Sequence, residues 1–474
     1  MNTLAHKLMA SAVRYAIPAV LVLASLILLT TSVPVLALLP GLGVLALIWF
    51  GHRTMLPYLF YGIVLLIPFG AYRGLGGQFS FLRLHWIFAI ALAAFVSIQI
   101  IFRKRIPAEV RSGKFWVAVL LFYIINIFAT LGSKIPENSA QFLLLLAAGF
   151  LLVALGMIVV DQKGFAQTLP RVIVGSVFVS SLLTVLGAVF QLKLFLSPLS
   201  GQAVGGSPEP NNMSLMIIFS LPLVVYFLLT ARRAWVRLAL LLVIAINVAA
   251  VIATFSRGGA LILGISTLLI LWEFRRLIAP RNFGLLLGLG GLTLAILLIL
   301  TPEAYVERVR SLRDFDDFSL RRRTSYLVAT RELVADRPLL GNGPDTFASL
   351  YAKTEIGQSF WRQHKSRGAA RDAHNAYIEV LVGSGVVGLA CFLFILAYAA
   401  HSFTRARKQF LIAGKPRLAL LSVAYRTSFL TLLIYLFIYS GVLHKYLLVA
   451  LAASQIALRL AHRSPKQELD DACG

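Results

Sequence analysis

The sequence has few charged residues for its length. Only 13% of its 474 residues are Asp, Glu, Lys or Arg, whereas 59% are hydrophobic. Soluble domains carry about 25% charged residues. Apolar runs of about 20 residues, the length that crosses a bilayer, recur along the chain. The runs are continuous rather than alternating, which does not fit a β-barrel. The composition therefore predicts an all-α polytopic membrane protein.

Cysteine is almost absent. Cys391 lies in an apolar run and Cys473 is next to the last residue, and neither has a Cys or His partner at metal-ligand spacing. The sequence also lacks Walker A, HExxH and GxSxG motifs, and it has no carboxylate cluster suited to a divalent metal. We therefore expect no disulfide framework, no metal or other cofactor and no ATP-driven transport.

Acidic residues are also scarce, with 19 Asp and Glu against 44 Lys and Arg, so the net charge is +25. The basic residues fall in short loops, such as 103–114 and 405–417, that alternate with loops almost free of Lys and Arg, such as 205–212. This asymmetry is the positive-inside pattern. It predicts cytoplasmic basic loops, two cytoplasmic termini and no nucleic-acid partner.

The apolar runs predict 12 to 14 transmembrane helices. The lower number applies if the first two runs form a re-entrant pair. Lys7 and Arg14 precede the first run as in a signal peptide, but no clear cleavage site follows, so we expect that helix to be retained. The predicted spans are 14–31, 33–50, 56–70, 86–102, 115–131, 140–160, 171–193, 213–230, 237–254, 258–274, 283–301, 374–400, 418–440 and 445–461.

Residues 302–373 form a long polar loop on the predicted outer side. A loop of this length without structure or function would be unusual. Its segment "RRTSYLVATRELVADRP" has helical periodicity, which Pro338 should end, and "LLGNGPDTF" is typical of a turn. We predict a partly helical loop that forms a lid over the outer membrane surface. The residues expected on the buried face of its helix are Tyr326, Leu327, Thr330, Leu333 and Val334.

The polar segment "SGQAVGGSPEPNNMS" (200–214) opens the eighth predicted span. Asn211 and Asn212 are candidates to cap that helix, whose free N–H groups and positive end suit a phosphate. An ordinary capped turn is an equally good interpretation.

Arg257 lies in the predicted outer turn "TFSRGGA". An arginine at mid-bilayer costs about 2.5–3.5 kcal/mol on insertion scales, so such residues usually face a cavity or a partner. A snorkelling anchor is the alternative. Three further arginines, Arg321, Arg322 and Arg323, could grip phosphate through their planar guanidinium forks or contact anionic lipid. We favour Arg323, because we expect it to start the helix of the loop.

His374 comes where the long loop re-enters the membrane. A histidine can act as a general base near neutral pH. Asn375 could donate or accept hydrogen bonds beside it, and Asp372 could orient its ring. A structural histidine at a helix start is the alternative. Together with the arginines, His374 suits an anionic, lipid-borne substrate such as a pyrophosphate. The predicted reaction is attack by a deprotonated acceptor hydroxyl with departure of a diphosphate that the arginines stabilise.

Three segments resemble motifs of the O-antigen ligase/polymerase superfamily. They are "TFSRGG" (254–259), "RTSYLVATRELVADRPLLGNGPDTF" (323–347) and "HNAYIEVLVGSGVVGL" (374–389). The resemblance covers roughly residues 200–400. It selects Arg323 from the triplet, because the family has an arginine fifteen residues before its "PLLGxG" turn. One departure is Tyr326, which stands where the family commonly has Trp.

The resemblance implies a GT-C-type bundle and a metal-independent glycosyltransferase at the periplasmic face of the bacterial inner membrane. Its donor would be an undecaprenyl-diphosphate-linked glycan held by Arg257 and Arg323, with His374 activating the acceptor. The acceptor would be lipid A-core in a ligase, or a second lipid-linked glycan in a polymerase of O-antigen or exopolysaccharide. We expect a ligase, with the polymerase as the alternative. Membrane lipids are the remaining expected partners.

A lipid-linked sugar transporter or flippase is the alternative from another class. It would want charged residues distributed along the spans, whereas here the basic groups collect at one mouth. We divide the chain into N-terminal transmembrane helices (1–199), a catalytic region that includes the long loop (200–400), and C-terminal helices with a cytoplasmic tail (401–474).

Overall fold

The computed structural model of the chain describes residues 56–70, 113–197, 201–275, 318–364 and 370–462, with scattered positions in 88–97 and 284–291. The predicted spans at 14–31, 33–50 and 283–301, and most of the span at 86–102, lie outside the described residues.

The described residues form thirteen α-helices and no β-strand. A π-helical turn, Gly164–Thr168, leads directly into the fourth helix. The helices are α1 (Leu56–Leu66), α2 (Lys114–Leu131), α3 (Pro136–Val159), α4 (Leu169–Phe190), α5 (Pro210–Thr230), α6 (Ala234–Ala253), α7 (Arg257–Phe274), α8 (Phe318–Asp336), α9 (Phe347–Tyr351), α10 (Glu355–His364), α11 (Ala376–Ile412), α12 (Pro416–Tyr435) and α13 (Lys445–His462).

Eight of these helices are long and apolar enough to cross a membrane: α2 to α7, α11 and α12. The chain is therefore an all-α polytopic membrane protein, as predicted. Helix α13 forms where the last span was predicted, but it is not one of the eight. The division into three regions stays a prediction, and α11 runs across its boundary at residue 400.

Helix α5 lies at the centre of the bundle. It packs against α4, α6, α7 and α12, and nearly all its residues from Met213 to Tyr226 are buried. Phe219 of α5 stacks on Tyr446 of α13, with ring centroids 4.8 Å apart and an interplanar angle of 11°. Helix α11 packs along α2, α12 and α13. This core fixes the positions of the helix ends that carry the polar residues.

Helix α11 is longer than predicted. It has 37 residues and continues to Ile412, instead of ending near residue 400. At 1.5 Å per residue it is about 55 Å long, well over the ~30 Å of a hydrocarbon core. The basic segment "RARK" (405–408) is therefore helical and not part of a loop, because Arg and Lys are good helix formers. Gly414, at φ 68°, follows the end of the helix.

Helix α11 is interrupted at Gly385, where φ is 67° and ψ is −173°. The break leaves backbone groups of α11 without their helical partners, and the turn after α8 supplies replacements. An apolar environment tolerates a broken helix only when such groups are paired again. The four replacement bonds are Asn342 N–H to Val382 C=O (2.8 Å), Gly343 N–H to Gly383 C=O (2.9 Å), Val386 N–H to Pro338 C=O (2.9 Å) and Val387 N–H to Leu339 C=O (3.4 Å).

The long loop contains helices, as predicted, and α8 ends two residues before Pro338. Its buried face includes the predicted Tyr326, Thr330 and Leu333. The prediction for Leu327 is wrong, because its side chain is 59% exposed. Ala329 is buried in its place. The buried face of α8 therefore packs against the neighbouring helices α9 and α11.

The loop is also attached to the link between α2 and α3. Lys134 forms a salt bridge with Asp336, and the guanidinium of Arg337 donates to the carbonyl of Gly132. Ser139 donates from its hydroxyl to the carbonyl of Pro344 at 2.8 Å. These contacts, with the four bonds to α11, hold the loop against one end of the bundle.

Candidate active site

The polar residues singled out from the sequence collect at one end of the bundle, which we call the loop end. Helices α2, α4, α6 and α12 finish there, and α3, α5, α7 and α11 begin there. Two bonds join the ends of α5, α11 and α12 there. The Tyr435 hydroxyl at the end of α12 donates to the carbonyl of Asn211 in α5 at 2.9 Å, and Ala376 N–H at the start of α11 donates to the carbonyl of Leu436 at 2.9 Å.

Arg257 is the first residue of α7, directly after the predicted turn. Ser256 caps the helix, since its hydroxyl oxygen accepts from Gly259 N–H at 2.9 Å. Phe255 has a left-handed backbone, with φ of 50°. A Cβ on Gly259 would lie 2.7 Å from the side chain of Ser214, so glycine lets α7 approach α5 closely. The turn therefore holds Arg257 half-buried at the loop end.

The predicted capping by Asn211 and Asn212 is wrong. Helix α5 begins at Pro210 with Glu209 as its N-cap residue, and no side chain caps it. Proline favours the first helical position, which moves the helix start ahead of both asparagines. Asn211 instead accepts from the Ser256 hydroxyl at 2.8 Å, so it ties α5 to the Arg257 turn. Asn212 pairs with His444 Nε2 at 2.8 Å.

The segment before α5 is not an open set of N–H groups. Gly205 N–H donates to the carbonyl of Phe195, Gly206 N–H to the Ser180 hydroxyl, and Ser207 N–H to the carbonyl of Val204. These bonds favour a structural turn over a phosphate-binding segment.

The three loop arginines differ in exposure. Arg321 is exposed, whereas Arg322 and Arg323 are half-buried. Arg323 does not start α8, which begins at Phe318, so that prediction is wrong. Burial lowers the pKa of Arg323, and the charges of Arg322 and Arg257 lower it further. The structure thus brings Arg257 and Arg323 close enough for their charges to interact.

His374 joins this arginine pair. It lies two residues before α11, with φ of 50°, a conformation that few residues other than glycine adopt. Burial lowers its pKa from 6.5 to about 4, and the charges of Arg323, Arg322 and Arg371 contribute. Its imidazole is therefore neutral at pH 7 and can accept a proton.

The neighbours of His374 have different roles from those expected. Asn375 is the N-cap residue of α11, and its side-chain oxygen accepts from the N–H groups of Tyr377 and Ile378 at 3.0 and 3.2 Å. Asp372 forms no hydrogen bond with His374 in the described part of the chain, so the expected orienting contact is not made. Asp372 instead lines a cavity described below.

Tyr326 belongs to the loop's own apolar cluster. It is 1% exposed and packs edge-to-face on Tyr351, with centroids 4.8 Å apart, and on Phe347 at 5.9 Å. The same cluster includes Val382 of α11. Tyr326 lies one turn after Arg323, so it orients the helix that carries the arginine and supports the site indirectly.

Glu379 was missed by the sequence analysis. It lies one turn inside α11, and its Oε1 accepts from Ala373 N–H at 3.1 Å and from the Ser440 hydroxyl. The carboxylate thereby fastens the residue before His374 to the turn after α12. A carboxylate inside a membrane helix is a functional candidate by default, and that signal was present in the sequence.

A cavity of about 380 Å³ was also missed. Three carboxyl residues, Asp345, Asp372 and Glu379, line it together with Asn126 and Ser384. The Ser384 hydroxyl donates to Asn126 Oδ1 at 2.8 Å. Arg257, Arg323 and His374 do not line this cavity. Within the described ranges, no group of three or more His, Cys, Asp or Glu side chains is placed to hold a metal ion.

Arg257, Arg323 and His374 fall within one segment, residues 242–393, that matches the O-antigen ligase family. The similarity to the O-antigen ligase superfamily is thus confirmed for this segment, which is less than half of the chain. No curated protein matches the sequence. The matched segment contains most of α6, all of α7 to α10 and the first half of α11. The match supports a function of the O-antigen ligase or polymerase type.

Proposed function

We propose that the protein is a metal-independent glycosyltransferase that moves an undecaprenyl-diphosphate-linked glycan onto an acceptor hydroxyl. The observation that carries the proposal is the environment of His374. A neutral imidazole lies within the electrostatic reach of Arg323, whose own pKa is lowered by Arg257. Two cations and one proton acceptor at one site are what a displacement of diphosphate requires.

The arginines would bind the diphosphate. Two guanidiniums held close together repel each other, and a doubly charged ligand between them would remove that repulsion. Arginine also suits phosphate oxygens because its planar fork donates two parallel hydrogen bonds. When the bond between the anomeric carbon and the diphosphate oxygen breaks, the charge that develops on the leaving oxygen is stabilised by the same groups.

His374 would take the proton from the acceptor hydroxyl, and the acceptor oxygen would then form the new bond to the anomeric carbon. Burial, together with the charges of the arginines, lowers the pKa of His374 to about 4, which makes it a weak base. A bound diphosphate would offset those positive charges and raise the pKa towards neutrality, where general-base catalysis is most effective. Donor binding would therefore activate the base.

The site would face the periplasm across a bacterial inner membrane. Its helices begin and end on the side opposite the basic segments 231–237 and 405–417, and the positive-inside rule assigns those segments to the cytoplasm. Both termini would be cytoplasmic.

We infer a ligase with lipid A-core as acceptor. A repeat-unit polymerase is the second candidate, and the predicted count of up to 14 spans favours it, because ligases of the superfamily are expected to have 12. A flippase is disfavoured, because Arg257 and Arg323 lie together at the loop end instead of being distributed along the spans.

The glycan profile of a deletion strain tests the proposal. Full-length polymer that is not attached to lipid A-core would indicate a ligase, and single repeat units would indicate a polymerase. An unchanged profile would contradict both.

A further inference from the structure

We propose that the 380 Å³ cavity binds the sugar rings of the acceptor glycan, beside the arginine site that takes the donor diphosphate. This inference rests on the proposed glycosyl transfer. The cavity volume falls in the range of about 300–1,000 Å³ that is usual for ligand pockets.

The side chains along the cavity suit hydroxyl groups. Ionised Asp345 and Asp372 are acceptor-only groups with several lone pairs each, and sugar hydroxyls are donors. Both residues are exposed and line the cavity. Asn212 adds an amide, and the rings of Phe142 and Phe347 provide flat apolar surface. Carboxylates, an amide and aromatic rings match the alternating polar and apolar faces of a sugar.

The charge of the cavity excludes the donor diphosphate. Asp345 and Asp372 would repel phosphate oxygens, and Lys445 beside the neutral His444 supplies a single positive charge against the two carboxylates. Burial raises the pKa of Asp345 and of Asp372, although both residues are also open to solvent. Hydroxyl donors from a ligand would form hydrogen bonds with both carboxylates. The loop end thus has a cationic compartment and an anionic one.

The two compartments share their walls. Asn211 is bonded to the Arg257 turn, whereas the next residue, Asn212, lines the cavity. Asp372 lines the cavity, and His374 follows it by two residues on the arginine side. A sugar in the cavity therefore lies against the segment that carries the base, as an acceptor hydroxyl must.

The experiment measures transfer by the full-length protein in membrane vesicles, with donor and acceptor concentrations varied separately. The test variants are Asp345→Asn and the double variant Asp345→Asn with Asp372→Asn. Asparagine tolerates the left-handed backbone of Asp345, whose φ is 58°. The control is Glu332→Gln, an exposed carboxylate on α8. Binding of geranylgeranyl diphosphate to each purified variant reports on the arginine site.

We expect the double variant to raise the acceptor KM about 10-fold, the effect of losing about one charge-assisted hydrogen bond. The donor KM, the binding of geranylgeranyl diphosphate and the control variant should not change. An unchanged acceptor KM, or a rise in the donor KM instead, would overturn the acceptor subsite. Failure of the proposed function would give a different result, because neither the wild type nor any variant would then transfer glycan. Binding of geranylgeranyl diphosphate would still show whether the arginine site binds a diphosphate.

Discussion

The charge of Arg323 lowers the pKa of His374, although the arginine lies on α8 and the histidine precedes α11. The two elements are joined by the bonds that the "PLLGNG" turn makes around Gly385. A motif that looks like an ordinary turn in the sequence therefore sets the distance between Arg323, which is proposed to bind the diphosphate, and His374, the proposed base.

Replacing the base should abolish transfer. We expect His374→Asn to lower kcat by about 10²- to 10⁴-fold, the usual contribution of a general base. Asparagine tolerates the φ of 50° at this position, so the fold should survive. The measurement is glycan transfer in vesicles, with His401→Asn, an exposed site on α11, as control. Full complementation of a deletion strain by His374→Asn would show that His374 is not the base.

Lysine should not replace the two site arginines. Arg257→Lys and Arg323→Lys each keep the charge but lose the fork, so we expect kcat/KM to fall about 10- to 100-fold through weaker charge-assisted bonds. Arg331→Lys, on the exposed side of α8, is the matched control. Normal turnover in both site variants would rule out bidentate recognition of the diphosphate.

The pH dependence of kcat/KM should report the pKa of His374 in the free enzyme. Activity requires the neutral imidazole, so it should be lost as the pH falls through about 4. Arg322→Gln removes one of the charges that lower this pKa, and the acidic limb should then move to higher pH, whereas Arg331→Gln should leave it in place. An identical limb in the Arg322 variant would contradict the electrostatic coupling.

The same shift has a consequence for stability. Because the folded-state pKa lies below the ordinary 6.5, the unfolded chain binds the proton more readily between pH 6.5 and about 4. The fold should therefore lose stability as the pH falls through that window, and His374→Asn should reduce the loss in thermal melts recorded across it.

Gly385 and Gly414 form a matched pair for testing the loop attachment. Both have positive φ, 67° and 68°, but a Cβ on Gly385 would overlap the carbonyl of Leu339, whereas a Cβ on Gly414 meets nothing within 4 Å. Gly414→Ala should cost only the backbone strain of about 1–2 kcal/mol. Gly385→Ala should lower the Tm further in detergent and abolish transfer. Equal effects of the two variants would mean that the turn does not depend on the break.

Much of the fold could be predicted because apolar run length and proline position act locally. The runs at 115–131 and 213–230 predicted α2 and α5, and Pro338 predicted the end of α8. The C-terminal end of α11 could not be predicted in this way, because its basic segment is compatible with a loop and also with a helix that extends beyond the membrane. Pro210 similarly decided the start of α5 against Asn211 and Asn212.

Arg257 and His374 were singled out because a cation and a histidine are conspicuous at the ends of apolar runs, and Arg323 because the resemblance selects it from its triplet. The roles of the three residues stay predictions. Glu379 and the cavity were not found, because a cavity depends on side chains from many separated segments. The bond from Asn211 to Ser256 joins residues 45 positions apart, and no local pattern reports it.

The exchange of bonds around Gly385 also sets an order of events during synthesis. Helix α8 leaves the ribosome before α11 exists, so the turn at 338–343 has no backbone partners until residues 382–387 have been inserted. The start of α11 in turn bonds to Leu436, after α12. A nascent or truncated chain therefore carries its arginines without a fixed histidine beside them. The proposed transfer can therefore begin only when the C-terminal helices are in place.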